Sequence, residues 1–161
     1  MTVNDYNSCV DAFADGLFRF AVKCTSDAEN ARDLVQEAFA KLWTKIHEVD
    51  AVKAKSYLFT TVNNAVIDQS RRLQHRRKFE NQLEVGSVTT ENFDLKQHLN
   101  DALARLPEIQ KSVILLRDYE GYSYQEIGEI TGLNEQQVKV YIFRARKTLK
   151  EYLTNIELLV G

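Results

Sequence analysis

The sequence predicts an all-α fold of two small helical domains joined by a flexible linker, and three observations carry that prediction. Glycine and proline are scarce, six and one in 161 residues, and no stretch alternates apolar and polar residues between turn clusters as strands do. Apolar residues instead recur three and four apart through most of the chain, the period of amphipathic helices. That period lapses over residues 79–93, FENQLEVGSVTTENF, where glycine, serine and threonine collect. The expected organisation is a domain over residues 1–78, a linker over 79–93 and a second domain over 94–161.

In the first domain, Val10, Phe13, Leu17, Phe20 and Ala21 share one face of a helix ending near Cys24. Ser26 or Asp27 then caps a second helix, whose stripe is Ala31, Leu34, Val35, Ala38, Leu42 and Ile46. Phe39 and Trp43 flank that stripe, and Arg32, Asp33, Gln36 and Glu37 are left as a polar surface. A loop from about Glu48 leads to a third helix, with Tyr57, Leu58, Val62, Ala65, Val66 and Leu73 turned inward. Its far end carries Arg71, Arg72, His75, Arg76, Arg77 and Lys78 all round the helix, more cations than the protein itself can pair. Such a run is either a solvated helix end or a nucleic-acid contact, with cations for phosphates and rings for bases.

In the second domain, Leu95, Leu99, Ala102, Leu103 and Leu106 line one helix, and Pro107 opens the next in a first-turn position. Ile109, Val113, Leu115 and Leu116 follow. Then come a short helix with Ile127 and Ile130, a glycine at the turn, Gly132, and a longer helix with Val138, Ile142, Ala145 and Leu149 at i, i+4, i+7 and i+11. Two such stripes face each other in a helix-turn-helix, where Gly128 permits close approach. The outer face of the second helix keeps Gln136, Gln137, Lys139, Val140, Phe143, Arg144, Arg146 and Lys147, a surface suited to a DNA groove, although a basic last turn also suits a helix macrodipole. The apolar tail Tyr152, Leu153, Ile156, Leu158, Leu159 and Val160 is expected to continue packing on this lobe.

The formal net charge of −2 conceals two basic islands, +6 over residues 51–78 and +5 over 136–150, in an acidic background that includes −4 over 119–135. Phosphate binding depends on such local clusters and not on the whole-chain sum. Cys9 and Cys24 lack CxxC spacing and the three histidines stand apart from them, so free thiols are expected and neither disulfide nor metal nor cofactor. No phosphate loop, GxGxxG, HExxH or GxSxG occurs, and Asp33 with Glu37 is a charged helix face, so no catalytic residue, enzyme activity or small-molecule substrate is expected. With neither signal peptide nor membrane span in the sequence, a cytoplasmic protein without membrane insertion is expected.

Three blocks then carry a family resemblance. DLVQEAFAKLW (Asp33 to Trp43), SYLFTTVNNAVIDQSRR (Ser56 to Arg72) and LPEIQKSVILLRDYEGYSYQEIGEITGLNEQQVKVYIFRARKTL (Leu106 to Leu149) stand in the order and at the separations of a bacterial RNA polymerase sigma factor. The chain resembles the extracytoplasmic function group of the sigma-70 family. The resemblance implies an initiation factor that brings core RNA polymerase to promoter DNA, commonly held in check by an anti-sigma factor. It implies two helical domains without the N-terminal inhibitory region or the middle domain of housekeeping sigma factors. Asp33, Gln36 and Glu37, with Phe39 and Trp43, match the surface that docks on the clamp helices of the largest polymerase subunit. Asn64 matches the asparagine facing the non-template strand of the −10 element, continued by Asp68, Arg71 and Arg72, with Tyr57 in place of a tryptophan and Arg76 and Arg77 beyond. The loop from Val49 to Ser56 corresponds to the one that receives a flipped base. Lys139, Val140 and Phe143 match positions over the −35 element, and Arg144, Arg146 and Lys147 are candidate phosphate partners beside them. Val140 and Tyr141 replace a small polar residue and an arginine, so the resemblance does not transfer a −35 sequence. The competing class is a stand-alone helix-turn-helix regulator.

Overall fold

A computed structural model describes the backbone of residues 1–80 and 95–160 and the side chains of residues 1–76 and 95–155. Among the described residues seven α-helices fall into two lobes, α1 (Val3–Thr25), α2 (Ala28–Thr44) and α3 (Ala54–Glu80), then α4 (Leu95–Arg105), α5 (Glu108–Ile114), α6 (Tyr124–Thr131) and α7 (Glu135–Val160). No strand occurs among the described residues.

Helix α1 begins seven residues before the expected Val10. Thr2 accepts from the Asp5 backbone N–H, and the Asp5 carboxylate accepts from that of Thr2, a reciprocal cap that fixes the start. Ser26, in the left-handed conformation at φ 56°, ends α1, and Asp27 caps α2 by accepting from Asn30 N–H at 3.1 Å. The three N-terminal helices bury Leu17, Phe20, Ala31, Leu42, Leu58, Phe59 and Val62. Leu73, expected inside, is 49% exposed: Asn30, near the start of α2, already pairs with Gln69, so one turn later α3 has overrun the helix beneath it. It continues through Glu80, into the first two residues of the expected linker; residues 81–93 lie outside the described residues.

In the second lobe Leu103, Val113, Ile114, Ile127, Ile130, Val138 and Ile142 form the interior, while Leu95, expected on the same stripe, is exposed on the first residue of α4. Pro107 sits one position before α5, where its extended ψ of 145° sets the corner and its missing N–H costs nothing. After α5 one wide π-type turn (Leu115–Tyr119) lets Glu120 N–H reach the Leu115 carbonyl. Tyr152 and Leu153 are half-buried as the tail begins, and the side chains of Ile156, Leu158, Leu159 and Val160 lie outside the described residues.

The lobes are pressed together, and one apolar cluster runs through both. Phe59 meets Tyr122 edge-on at 5.1 Å. Around this contact the interface is polar: Ser112 Oγ donates to Asn63 Oδ1 at 2.7 Å, Lys111 Nζ donates to the Cys24 carbonyl at 3.1 Å, and Ser70 Oγ donates to Glu108 Oε1 at 2.9 Å. Asn63, Ser112 and Lys111 are buried, so the first two of these bonds satisfy groups that would otherwise lose their water without replacement.

Candidate nucleic-acid interface

A single 3₁₀ turn (Ala51–Lys53) leads into α3, closed by the Asp50 carboxylate accepting from Val52 N–H. Val52 is 84% exposed at its tip. Along α3, Tyr57 is half-buried while Asn64, Asp68, Arg71, Arg72 and Arg76 are exposed. Positions 64, 68, 72 and 76 are each four apart and therefore form one line along the helix. Among the described residues nothing pairs with Arg71, Arg72 or Arg76; the side chain of Arg77 lies outside the described residues. The neighbouring Asn63 faces the opposite way, into the bond with Ser112.

On α2, Asp33, Gln36 and Glu37 are exposed, with Glu37 3.4 Å from Lys41 one turn on. Phe39 differs from these, since it is buried and forms a groove wall more than a surface. Tyr6 of α1 donates its hydroxyl to the Phe39 carbonyl at 3.1 Å and stands edge-on to Trp43 at 5.0 Å. Together with Val10, Val35 and Ala40 these rings line an apolar groove that has Gln36 on its rim and the half-exposed Trp43 at its end. Tyr6 and Val10 belong to the early turns of α1, and the Thr2/Asp5 cap was the sequence signal that could have found them. A second, polar groove between α2 and α3 joins Glu37 and Lys41 to Asn64, Asp68 and Arg72.

In the other lobe Ser123 and Glu126 form a reciprocal cap that starts α6, and Gly132 ends it at φ 80°, donating to the Gly128 carbonyl. A Cβ at Gly128 would lie 2.7 Å from the Leu133 carbonyl oxygen, so this glycine admits the turn backbone, where close helix-to-helix approach was expected. Val138, Ile142, Ala145 and Leu149 are all buried on α7. The outward residues are exposed, yet several are already engaged. Gln137 caps α7 reciprocally with Asn134, Arg146 makes a two-point contact to Asp118 at 3.0 and 2.5 Å, and the Lys139 ammonium lies 5.5 Å from the Tyr124 ring centre. Arg144 lies against Tyr141. Gln136, Val140, Phe143 and Lys147 extend outward without such contacts among the described residues, and Phe143 is 69% exposed.

A family model for Sigma-70 region 2 matches residues 9–77, and one for Sigma-70 region 4 matches residues 96–149. The chain belongs to the sigma-70 family. Among curated relatives it is 28% identical over 145 residues to the ECF RNA polymerase sigma factor SigM of Bacillus subtilis, covering 86% of this chain and 88% of SigM. To the RNA polymerase sigma factor SigV of the same organism it is 29% identical over 153 residues, 94% and 92% of the two chains. The fold matches that of the sigma factor RpoE solved in complex with the anti-sigma factor NepR from Bartonella quintana, with TM-score 0.76, 26% identity, and coverage of 94% of this chain and 98% of RpoE. The protein is thus a sigma factor of the extracytoplasmic function group, a transcription initiation factor that directs RNA polymerase to promoters, and not an enzyme. A stand-alone helix-turn-helix regulator is not favoured, because region 2 accounts for the N-terminal lobe.

The region 2 and region 4 lobes also meet through charges that sequence reasoning did not single out. Arg19 of α1 grips Glu120 at 3.2 and 3.0 Å, Lys55 pairs with Glu126, Lys53 lies 3.8 Å from Glu129, and Ser56 Oγ donates to Glu129 at 3.2 Å. The bond to Lys55, then the Ser123 N–H, holds the Glu126 carboxyl below its ordinary pKa, while burial pushes the Tyr122 phenol up to about 12. The acidic block over 119–135 opposite the basic block over 51–78 was the available signal. Among the described residues no helix is long and apolar enough to cross a membrane.

Proposed function

We propose that this sigma factor docks on core RNA polymerase through the α2 face, opens the −10 element with α3 and grips the −35 element with the outer face of α7. One observation carries the division of labour: Glu37 and Lys41 share a groove with Asn64, Asp68 and Arg72, so the polymerase face and the strand face adjoin. A melted strand leaving polymerase along α2 would meet Asn64 first and the unpaired arginines after it. Tyr6, Phe39 and Trp43 supply the apolar part of the docking face, and Asp33, Gln36 and Glu37 its polar rim. Flipping a base costs a few kcal/mol, and stacking returns about 1–3 kcal/mol per base, so polymerase must capture the opened strands to complete the exchange. The protein acts in the cytoplasm, and the similarity to RpoE, solved with an anti-sigma factor, supports an anti-sigma partner here.

The compact arrangement has a mechanical consequence for this reading. Positions −35 and −10 lie about 25 base pairs apart, about 85 Å along B-form DNA at roughly 3.4 Å per pair. A compact 161-residue body has a radius of gyration of about 15 Å and is about 40 Å across. Lobes in contact cannot touch both elements, so promoter engagement separates them. The test is run-off transcription from genomic fragments with purified core polymerase, comparing the native chain with Trp43→Ala and Glu37→Ala. Specific transcripts that fall in both variants, alongside weakened binding to core, support the reading; transcription independent of added protein, or no binding to core, removes it.

A further inference from the structure

The free protein holds the loop before α3 against its own region 4. The loop ends at Lys53 and runs on into Lys55 and Ser56 of the first turn of α3, and each meets a carboxylate of α6: Lys53 pairs with Glu129 at 3.8 Å, Ser56 donates to Glu129, and Lys55 pairs with Glu126. The Lys55 ammonium also lies 4.1 Å from the centre of the Tyr122 ring. We propose that α6 is an intramolecular mimic of the DNA backbone, whose two carboxylates occupy the cations of the −10 loop and keep single strands off it until the lobes part. The proposal rests on the reading that this sigma factor opens the −10 element, with the loop before α3 receiving a flipped base.

Three observations favour masking over mere packing. The groups that meet are complementary in the way phosphate and lysine are, and a strand arriving at Lys53 and Lys55 would compete for the same ammonium protons. Glu126 and Glu129 lie one turn apart on α6, so their carboxylates would also repel a phosphate brought to the loop. The contacts are partly exposed, with side-chain accessibilities of 27% and 36% for Lys55 and Glu126 and 66% and 40% for Lys53 and Glu129. Such pairs are weak and salt-screened, as a cover that must come off requires. Asn64, Arg71, Arg72 and Arg76 stay uncovered. The closed protein therefore keeps its general attraction for nucleic acid while the base-receiving loop is shut.

The experiment measures binding of a fluorescein-labelled, mixed-sequence 12-nucleotide single strand to the full chain by anisotropy at low salt. Glu126→Gln with Glu129→Gln keeps the α6 cap, since glutamine also serves at that capping position. This pair should tighten binding on the order of fivefold. Asp11→Asn with Glu29→Gln removes the same charge from exposed sites of the region 2 lobe and should change it less than twofold, roughly the general long-range effect of charge at this distance. Adding Lys53→Gln and Lys55→Gln to the first pair should abolish its gain. Equal gains from the two charge-matched pairs, or no gain from the Glu126/Glu129 pair, overturn the masking. Run-off transcription with core polymerase assigns any failure. If Lys53→Gln with Lys55→Gln transcribes normally, the loop does not hold the strand and the −10 role on which the masking rests is wrong. If it loses transcription while the Glu126/Glu129 pair gains no strand affinity, the masking alone is wrong.

Discussion

Helices α3 and α7 carry the two basic surfaces of the molecule, and they hold their charge in opposite ways. On α3, Arg71, Arg72 and Arg76 project from a helix that has outrun its supports, and nothing among the described residues pairs with them. On α7 three of the cations are held: Arg146 by Asp118, Lys139 against Tyr124, Arg144 against Tyr141. An exposed guanidinium without a protein partner suits phosphates at unspecified positions, gaining through counterion release. A cation fixed by a carboxylate or a ring has lost rotamer freedom in advance and arrives at one place, which suits register on a groove. The difference fits the two tasks proposed for these helices, since a melted strand has no fixed geometry and a duplex has.

The comparison breaks first at α3. Replacing Arg71, Arg72 and Arg76 together by alanine should weaken promoter binding by the polymerase complex on the order of a hundredfold. It should also lower the slope of log affinity against log salt by about 2, as expected for three single-strand phosphate contacts. A salt titration by filter binding checks it, and an unchanged slope would mean that these arginines never reach phosphate. At α7 the effect should be smaller and sequence-dependent: Lys139→Ala costs roughly 1–3 kcal/mol on the matched −35 element and far less on scrambled DNA. Equal loss on both would place Lys139 with the α3 arginines as a phosphate contact. Smaller again is Asp118→Asn. It frees Arg146, and because both partners are more than a third exposed the stability lost is about 0–1 kcal/mol. Thermal melting would read that loss, and −35 affinity should fall slightly even though a negative charge has gone, because Arg146 is no longer positioned.

Features with a local signature were legible in the sequence. The period of Val138, Ile142, Ala145 and Leu149 identified the buried stripe of α7, and Gly132 marked the left-handed turn, because helix packing and turn geometry are written over neighbouring residues. The site residues on α2 and α3 came from block-by-block similarity and those on α7 from the helical period as well, and among the described residues all but Phe39 and Tyr57 are exposed as that period requires. What was not legible depends on contacts without local trace. Asn63 and Ser112 are 49 positions apart and Lys111 reaches Cys24 across 87, so their burial could not be told from a polar helix surface. Phe39 looked like a surface ring beside Trp43 and is instead a groove wall, because α1 starts at Val3 and brings Tyr6 over it. Leu73 obeyed the helical period yet found no helix beneath it.

The finest division on α7 is between adjacent glutamines that composition treats alike. Gln137 closes the N-terminal cap, its side-chain oxygen accepting from Asn134 N–H at 3.1 Å while Asn134 accepts from the Gln137 N–H at 2.8 Å; Gln136 is exposed with no such bond. Gln137→Ala should therefore lower the stability of the region 4 lobe by roughly 0.5–1 kcal/mol, with binding reduced only through fraying of the first turn. Gln136→Ala should leave stability within about 0.5 kcal/mol of the native chain and change binding only if its amide reaches DNA. Denaturant melts together with −35 affinities separate the two, and Gln137→Glu, which keeps the capping acceptor, should restore stability while adding a charge that phosphate repels. If Gln137→Glu binds the −35 duplex as well as the native protein does, the first turn of α7 stands clear of the backbone, and the grip is confined to the turns from Lys139 onward.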